Sequence, residues 1–104
     1  MAVRNGHAFW TGAAGDVGEA VRLYAELVPD CVRVLGAEDR GTLFALHHRA
    51  TWLKAAGSTA AAVEVLAALL PVRERVLGTA HDDTERTRLH LRSCRAVLAG
   101  GHLG

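Results

Sequence analysis

Isoleucine and glutamine are missing from this chain, lysine occurs once (Lys54), methionine once, and the 104 residues hold only two prolines. Basic charge rests almost wholly on arginine, a composition of the kind a high-GC bacterial genome produces. The two cysteines, Cys31 and Cys94, stand alone inside apolar-periodic stretches. They make no disulfide framework and read as buried free thiols. No uninterrupted apolar run approaches the ~18 residues of a membrane span, and the opening MAVRNGHAFW has no signal-peptide core. A cytoplasmic protein with no membrane partner is expected. Charge of one sign is lacking as well: twelve basic residues face eleven acidic ones, so no global field draws in nucleic acid. Finally, no stretch alternates with period two over a strand's length, which excludes a sheet.

What the chain does have is hydrophobicity, half of its residues, and an internal repeat. Set against itself at an offset of 42, residues 15–56 match 57–98 at twelve positions. Gly15/Gly57, Pro29/Pro71 and the phrase Arg33-Val34-Leu35-Gly36, recurring at 75–78, carry the most weight. Upstream, Trp10 pairs with Trp52 at the same offset, and these are the only tryptophans. Periods of this length belong to stacked supersecondary units, each of which buries its apolar face only against its neighbours.

Within each unit the period is helical. Ala20, Tyr24, Leu27, Cys31 and Val34 form one stripe, repeated by Ala62, Leu66, Leu69 and Val76. Leu43, Leu46, Ala50 and Leu53 form a second, and Leu91, Cys94 and Leu98 a third. Gly36 and Gly78 follow the last apolar pairs as helix-ending residues in a left-handed conformation. Asp39, Asp82 and Asp83 are N-cap candidates for the helices that follow. Pro29 and Pro71 fall mid-helix at equivalent places, predicting a kink or a break into two pieces. The plan is all-α: five helices over 2–13, 17–35, 40–56, 59–77 and 83–99.

Thr42, Leu43, His47, Ala50, Trp52, Leu53, Ala56 and Gly57, followed by Ala62, Val63, Leu69, Leu70, Arg73, Arg75, Val76, Leu77, Gly78, His81, Asp83 and Thr84, resemble the 42-residue tetratricopeptide repeat of the kinesin-light-chain-like type. The resemblance extends from residue 4 to about 95. It implies a right-handed α-solenoid of antiparallel helix hairpins, about two and a half repeats in one domain spanning 1–104. The division is a half repeat 1–14, repeats 15–56 and 57–98, and a short glycine-rich tail 99–104. The family's first-helix asparagine is replaced by Gly6, His48 and His90, and its tryptophan by Cys94 in the last helix. That helix, rich in arginine, is expected to serve as a cap with a polar outer face.

The same resemblance implies a non-catalytic scaffold that binds a protein or peptide. The alternative is a structural repeat segment of a larger regulator, beside an ATPase or DNA-binding domain. In such repeats the first helices line a concave groove. By position the groove residues are Asn5 and Phe9, then Phe44, His47, His48, Thr51 and Lys54, then Arg86, His90 and Ser93. Phe9 and Phe44 would be apolar anchors, and Lys54 and Arg86 would take a carboxylate. The unmatched apolar face around Phe9 and Trp10 implies a homodimer or a longer array.

Three catalytic or ligand readings compete. Thr11-Gly12-Ala13-Ala14-Gly15-Asp16-Val17-Gly18 fits a dinucleotide fingerprint, but that motif works only between a buried strand and a helix. RNGHAFW before it is no strand, and the chain is too short for the sheet, so no nucleotide cofactor is expected. Six histidines raise a metal site, yet His47 and His48 are adjacent and point apart, and His48 with His90 lacks a third ligand. No metal is expected. Arg88, Arg92 and Arg95 share a helix face that could meet phosphate, but with near-zero net charge they read as a solvated end face. No nucleophile with a neighbouring base stands out, and no enzyme is expected.

Overall fold

The structure, a computed structural model, describes residues 2–100, with Ala2 by its backbone alone. The remainder of the expected tail, 101–104, lies outside the described residues. Five helices follow one another: α1 (Ala2–Ala13), α2 (Val17–Leu35), α3 (Arg40–Ala55), α4 (Thr59–Leu77) and α5 (Asp82–Gly100). There is no strand among the described residues.

The repeat dictates the turns. At the α1–α2 turn, Ala14, Gly15 and Asp16 donate their N–H groups to Trp10, Gly12 and Thr11 carbonyls. Ala56, Gly57 and Ser58 do the same to Trp52, Lys54 and Leu53, 42 residues on. Gly15 and Gly57 hold φ of 106° and 87° there, a region that only glycine enters without strain. Gly36 and Gly78 also have positive φ, 101° and 99°, but ψ is 154° and 153°. That is not the expected left-handed helical pair. Each instead swings the chain outward, extended, towards the next helix.

Capping differs from the sequence expectation at α5. Asp39 accepts the Gly41 N–H at 2.8 Å and caps α3 as expected. At the equivalent place before α5 it is His81 whose Nδ1 accepts, from the Asp83 N–H at 3.0 Å. Asp82 and Asp83 lie in the first turn, where their negative charge still suits the helix dipole. Asp16 caps α2 by accepting from Glu19 N–H.

The prolines do not break their helices. α2 runs through Pro29 and α4 through Pro71 without interruption. Both prolines are exposed, and each leaves the carbonyl four residues back without its helical donor.

Each helix packs on the next, and α1 also touches α3. The molecule measures 43 × 33 × 19 Å, and its least dimension is that of two helix layers. One core cluster joins Ala8, Tyr24, Leu27, Cys31 and Ala45 across α1, α2 and α3. The second joins Leu43, Ala50, Leu53, Leu66, Leu69, Leu91 and Cys94 across α3, α4 and α5. The expected stripes fade at their ends: Val34, Val76 and Leu98 are exposed, because no further element covers the last turn of each helix. Both cysteines are buried and free.

The two tryptophans show how one unit seats on another. Trp52 lies against Phe9, with ring centroids 5.7 Å apart. A Cβ on Gly12 would come within 2.7 Å of the Trp52 ring. Gly12 therefore serves helix–helix contact and not a phosphate, and the Thr11–Gly18 segment is a helix–turn–helix with no strand before it. Trp10, at the matching register position of α1, is 70% exposed.

Candidate functional site

On the side where α1, α3 and the start of α5 come together, the packing leaves a cleft of about 800 Å³. Its walls are Asn5, Gly6 and Phe9 of α1, Cys31 and Leu35 of α2, and Arg40, Gly41, Leu43, Phe44 and His48 of α3. Arg73 and Leu77 of α4 and Asp83 of α5 complete it. Such a volume is in the range that holds a side chain or small ligand.

Four of the ten sequence-derived groove residues meet here: Asn5, Phe9, Phe44 and His48. They form an aromatic band. His48 meets Phe44 edge-on at 4.3 Å and Phe9 at 5.2 Å between centroids. Phe44 remains 49% exposed, an apolar ring held out to solvent. Asn5 is engaged, its Oδ1 accepting from the Tyr24 hydroxyl at 2.6 Å. Burial pushes that phenol up to about 12, so it stays a donor and locks α1 on α2.

The other six run along the α3–α5 seam. His47 and His90 meet at a tilt, with ring centroids 5.3 Å apart. The Thr51 hydroxyl donates back to the His47 carbonyl at 3.2 Å. Lys54 Nζ donates to Ser93 Oγ at 2.8 Å. Arg86 is exposed and lies 3.9 Å from the Asp83 carboxylate. The seam is therefore a row of mutually occupied polar groups, while the cleft is apolar and open.

Burial disfavours the charged form of all three histidines here. Burial, and then the charges of Arg73 and its neighbours, bring His47 down to about 4. Burial also lowers His48 and His90. Among the described residues no three His, Cys, Asp or Glu side chains converge on a point a metal ion could occupy.

Sequence reasoning missed Arg73 as a site residue. It is a buried guanidinium, 4% exposed, whose Nη1 donates to Thr87 Oγ1 at 2.9 Å and to the Asp83 carbonyl at 3.2 Å. The signal was present: the register partner of Arg73 is Cys31, a cationic position in one copy and an apolar one in the other. Of the end-face arginines, Arg88 is paired with Glu85 and lies 3.7 Å from Glu74, so the three do not form one free basic patch.

No curated protein matches the chain, and no solved structure matches it. Residues 42–83 match the family model of the tetratricopeptide repeat. That span runs from the start of α3 to the first turn of α5 and lies across the division at 56/57. It supports a tetratricopeptide repeat made of α3 and α4 inside an all-α helical-repeat fold.

Proposed function

We propose that this chain is a non-catalytic scaffold whose α1–α3 cleft binds a segment of another protein. Tetratricopeptide repeats generally mediate protein–protein interaction. The observation that carries the reading is the aromatic band: exposed Phe44 and half-buried Phe9, backed by His48, face a cleft large enough for a side chain. Rings held out beside a concavity supply the buried apolar contacts that dominate peptide affinity. Lys54, Thr51, His47, Arg86, His90 and Ser93 extend the surface along α3 and α5 as its polar continuation, where a partner's acidic groups would find Lys54 and Arg86.

An array of random 12-residue peptides, probed with the intact chain, tests this. Phe44→Ala, a change at a half-exposed position, is expected to weaken the selected peptides about tenfold or more while leaving the melting temperature within a degree or two. Unchanged binding by that variant would remove the cleft from the reading.

A second surface has its own observation. Val3 is 85% and Trp10 70% exposed, and Val3 also lines a hollow with Arg4, His7, Leu23, Glu26 and Leu27. This α1–α2 face takes a second copy of the chain, giving a homodimer or an array. The seat of Trp52 on the small Gly12 within the chain supports an indole as the centre of such a contact.

A further inference from the structure

The two helix-hairpin junctions differ at one place. At the second, Arg73 spans from α4 to α5 and also lies 3.5 Å from His47 Nδ1. Forty-two residues earlier, Cys31 stands where Arg73 does. Asn5, Gly41 and Ala45 stand where His47, Asp83 and Thr87 do. The cysteine is too short to reach across, and Ala45 has no hydroxyl to meet it. The cleft falls in that place: Asn5, Cys31 and Gly41 all line it. Geometrically it is the position of an arginine head group, opened to the outside between α1 and α3.

Its electrostatics do not suit a cation. Two guanidinium groups, Arg73 and Arg40, stand on the wall. Among the described residues neither forms an ion pair with a carboxylate. Arg73 is more than nine-tenths buried, and its Nε has no hydrogen-bond partner. The one acid on the wall, Asp83, offers Arg73 its backbone carbonyl, and its carboxylate lies towards Arg86. His48 Nδ1 is likewise buried without a partner. Asp83 acts on Arg73 through space without forming an ion pair with it, and burial still weighs against the charged guanidinium, so an incoming carboxylate gains more here than in water. The remaining walls, Phe9, Leu35, Leu43, Phe44 and Leu77, reward an apolar body.

We infer that the cleft is a subsite for an acidic side chain adjacent to a bulky apolar one in the bound peptide. The carboxylate lies towards Arg73, Arg40 and His48, and the apolar group between Phe9 and Phe44. The inference rests on the peptide-binding reading above and names the chemistry of the peptide.

The test uses fluorescein-labelled 12-residue peptides in a Gly/Ser frame carrying Phe-Asp, Phe-Asn or Ala-Asp, titrated by anisotropy. Phe-Asp is expected to bind at least about tenfold more tightly than either of the others, with a preference that shrinks as salt is raised. Cys31→Arg places a guanidinium in the cleft from within the chain. It fills the space the peptide side chains would enter and is expected to bind Phe-Asp at least about tenfold more weakly, with a melting temperature lowered by the added buried charge. Phe44→Asp, at an exposed position that leaves the core alone, sets a like charge at the same wall and is expected to weaken Phe-Asp binding likewise should Cys31→Arg not fold. Arg92→Ala, an exposed arginine of α5 outside the cleft, is expected to keep the Asp-over-Asn preference. Equal binding of Phe-Asp and Phe-Asn, or full binding by both cleft variants, overturns the inference. If random 12-mers bind and Phe44→Ala weakens them while Asp and Asn remain equal, the scaffold reading stands and this inference alone fails. If no peptide binds, both fail.

Discussion

At the scale of single residues, contact with Trp52 separates two glycines of α1. A methyl on Gly12 would lie 2.7 Å from the Trp52 ring, whereas one on Gly6 meets nothing within 4 Å. Overpacking a fitted helix contact costs about 1–3 kcal/mol, while replacing a helical glycine that has room gains roughly 0.5–1 kcal/mol. Gly12→Ala is therefore expected to lower the urea midpoint and Gly6→Ala to raise it, and equal shifts would mean that α1 does not seat on Trp52. His47 gives a pH dependence whose sign is fixed by its environment. Its folded value, about 4, lies below the ordinary 6.5, so the folded state binds fewer protons than the unfolded one between those values. Stability is then fully present above pH 6.5 and falls as pH drops towards 4. Allowing for the ring's partial exposure, the loss is about 1–2 kcal/mol. His47→Gln is expected to flatten that part of the melting-temperature profile, and an unchanged slope would assign the dependence elsewhere.

At the scale of helices, the two prolines pose the clearest question. Pro29 and Pro71 sit at matching positions in unbroken 19-residue helices, each removing one intrahelical hydrogen bond. Restoring the N–H with Pro71→Ala is expected to stabilise the fold by about 1 kcal/mol or more, measured by chemical denaturation, since the site is exposed. A loss of stability would mean that neighbouring helices depend on the bend. Much at this scale was legible in advance. The 42-residue register placed all five helices to within a residue or two, because glycine turns and apolar stripes are local signals. The continuity of the proline helices was not legible, since a proline inside a helical pattern reads equally as a kink, a break or a tolerated lost bond. The α5 cap escaped notice because His81 supplies through a ring nitrogen what Asp39 supplies through a carboxylate. The groove was legible in part: Asn5, Phe9, Phe44 and His48 converge, while Arg73 comes from the opposite layer, which first-helix reasoning does not reach.

For the whole molecule, the two ends of the stack are unlike. At the last helix, the register positions of Leu46, Ala50 and Leu53, which pack inside the stack, are Arg88, Arg92 and Arg95, so α5 presents charge where α3 presents apolar surface. A polar face of this kind is what closes a helical-repeat stack, and α5 carries one. The other end does not: Val3 and Trp10 stand out into solvent at the register of residues that elsewhere seat one unit on another. An indole of this size buried against a second surface removes on the order of 150–250 Å² from water, which at about 25 cal/mol per Å² favours association by several kcal/mol before the entropy of joining is subtracted. Sedimentation of the chain is expected to show a mass that grows with concentration. Trp10→Glu, at a position where the folded chain makes little use of the ring beyond its edge contact with Phe9 at 5.5 Å, is expected to hold the chain as a monomer with a stability change within about 0.5 kcal/mol. A monomer at every concentration for the unsubstituted chain would leave Trp10 without a second copy to meet. A mass growing equally in the Trp10→Glu variant would move the association to another face.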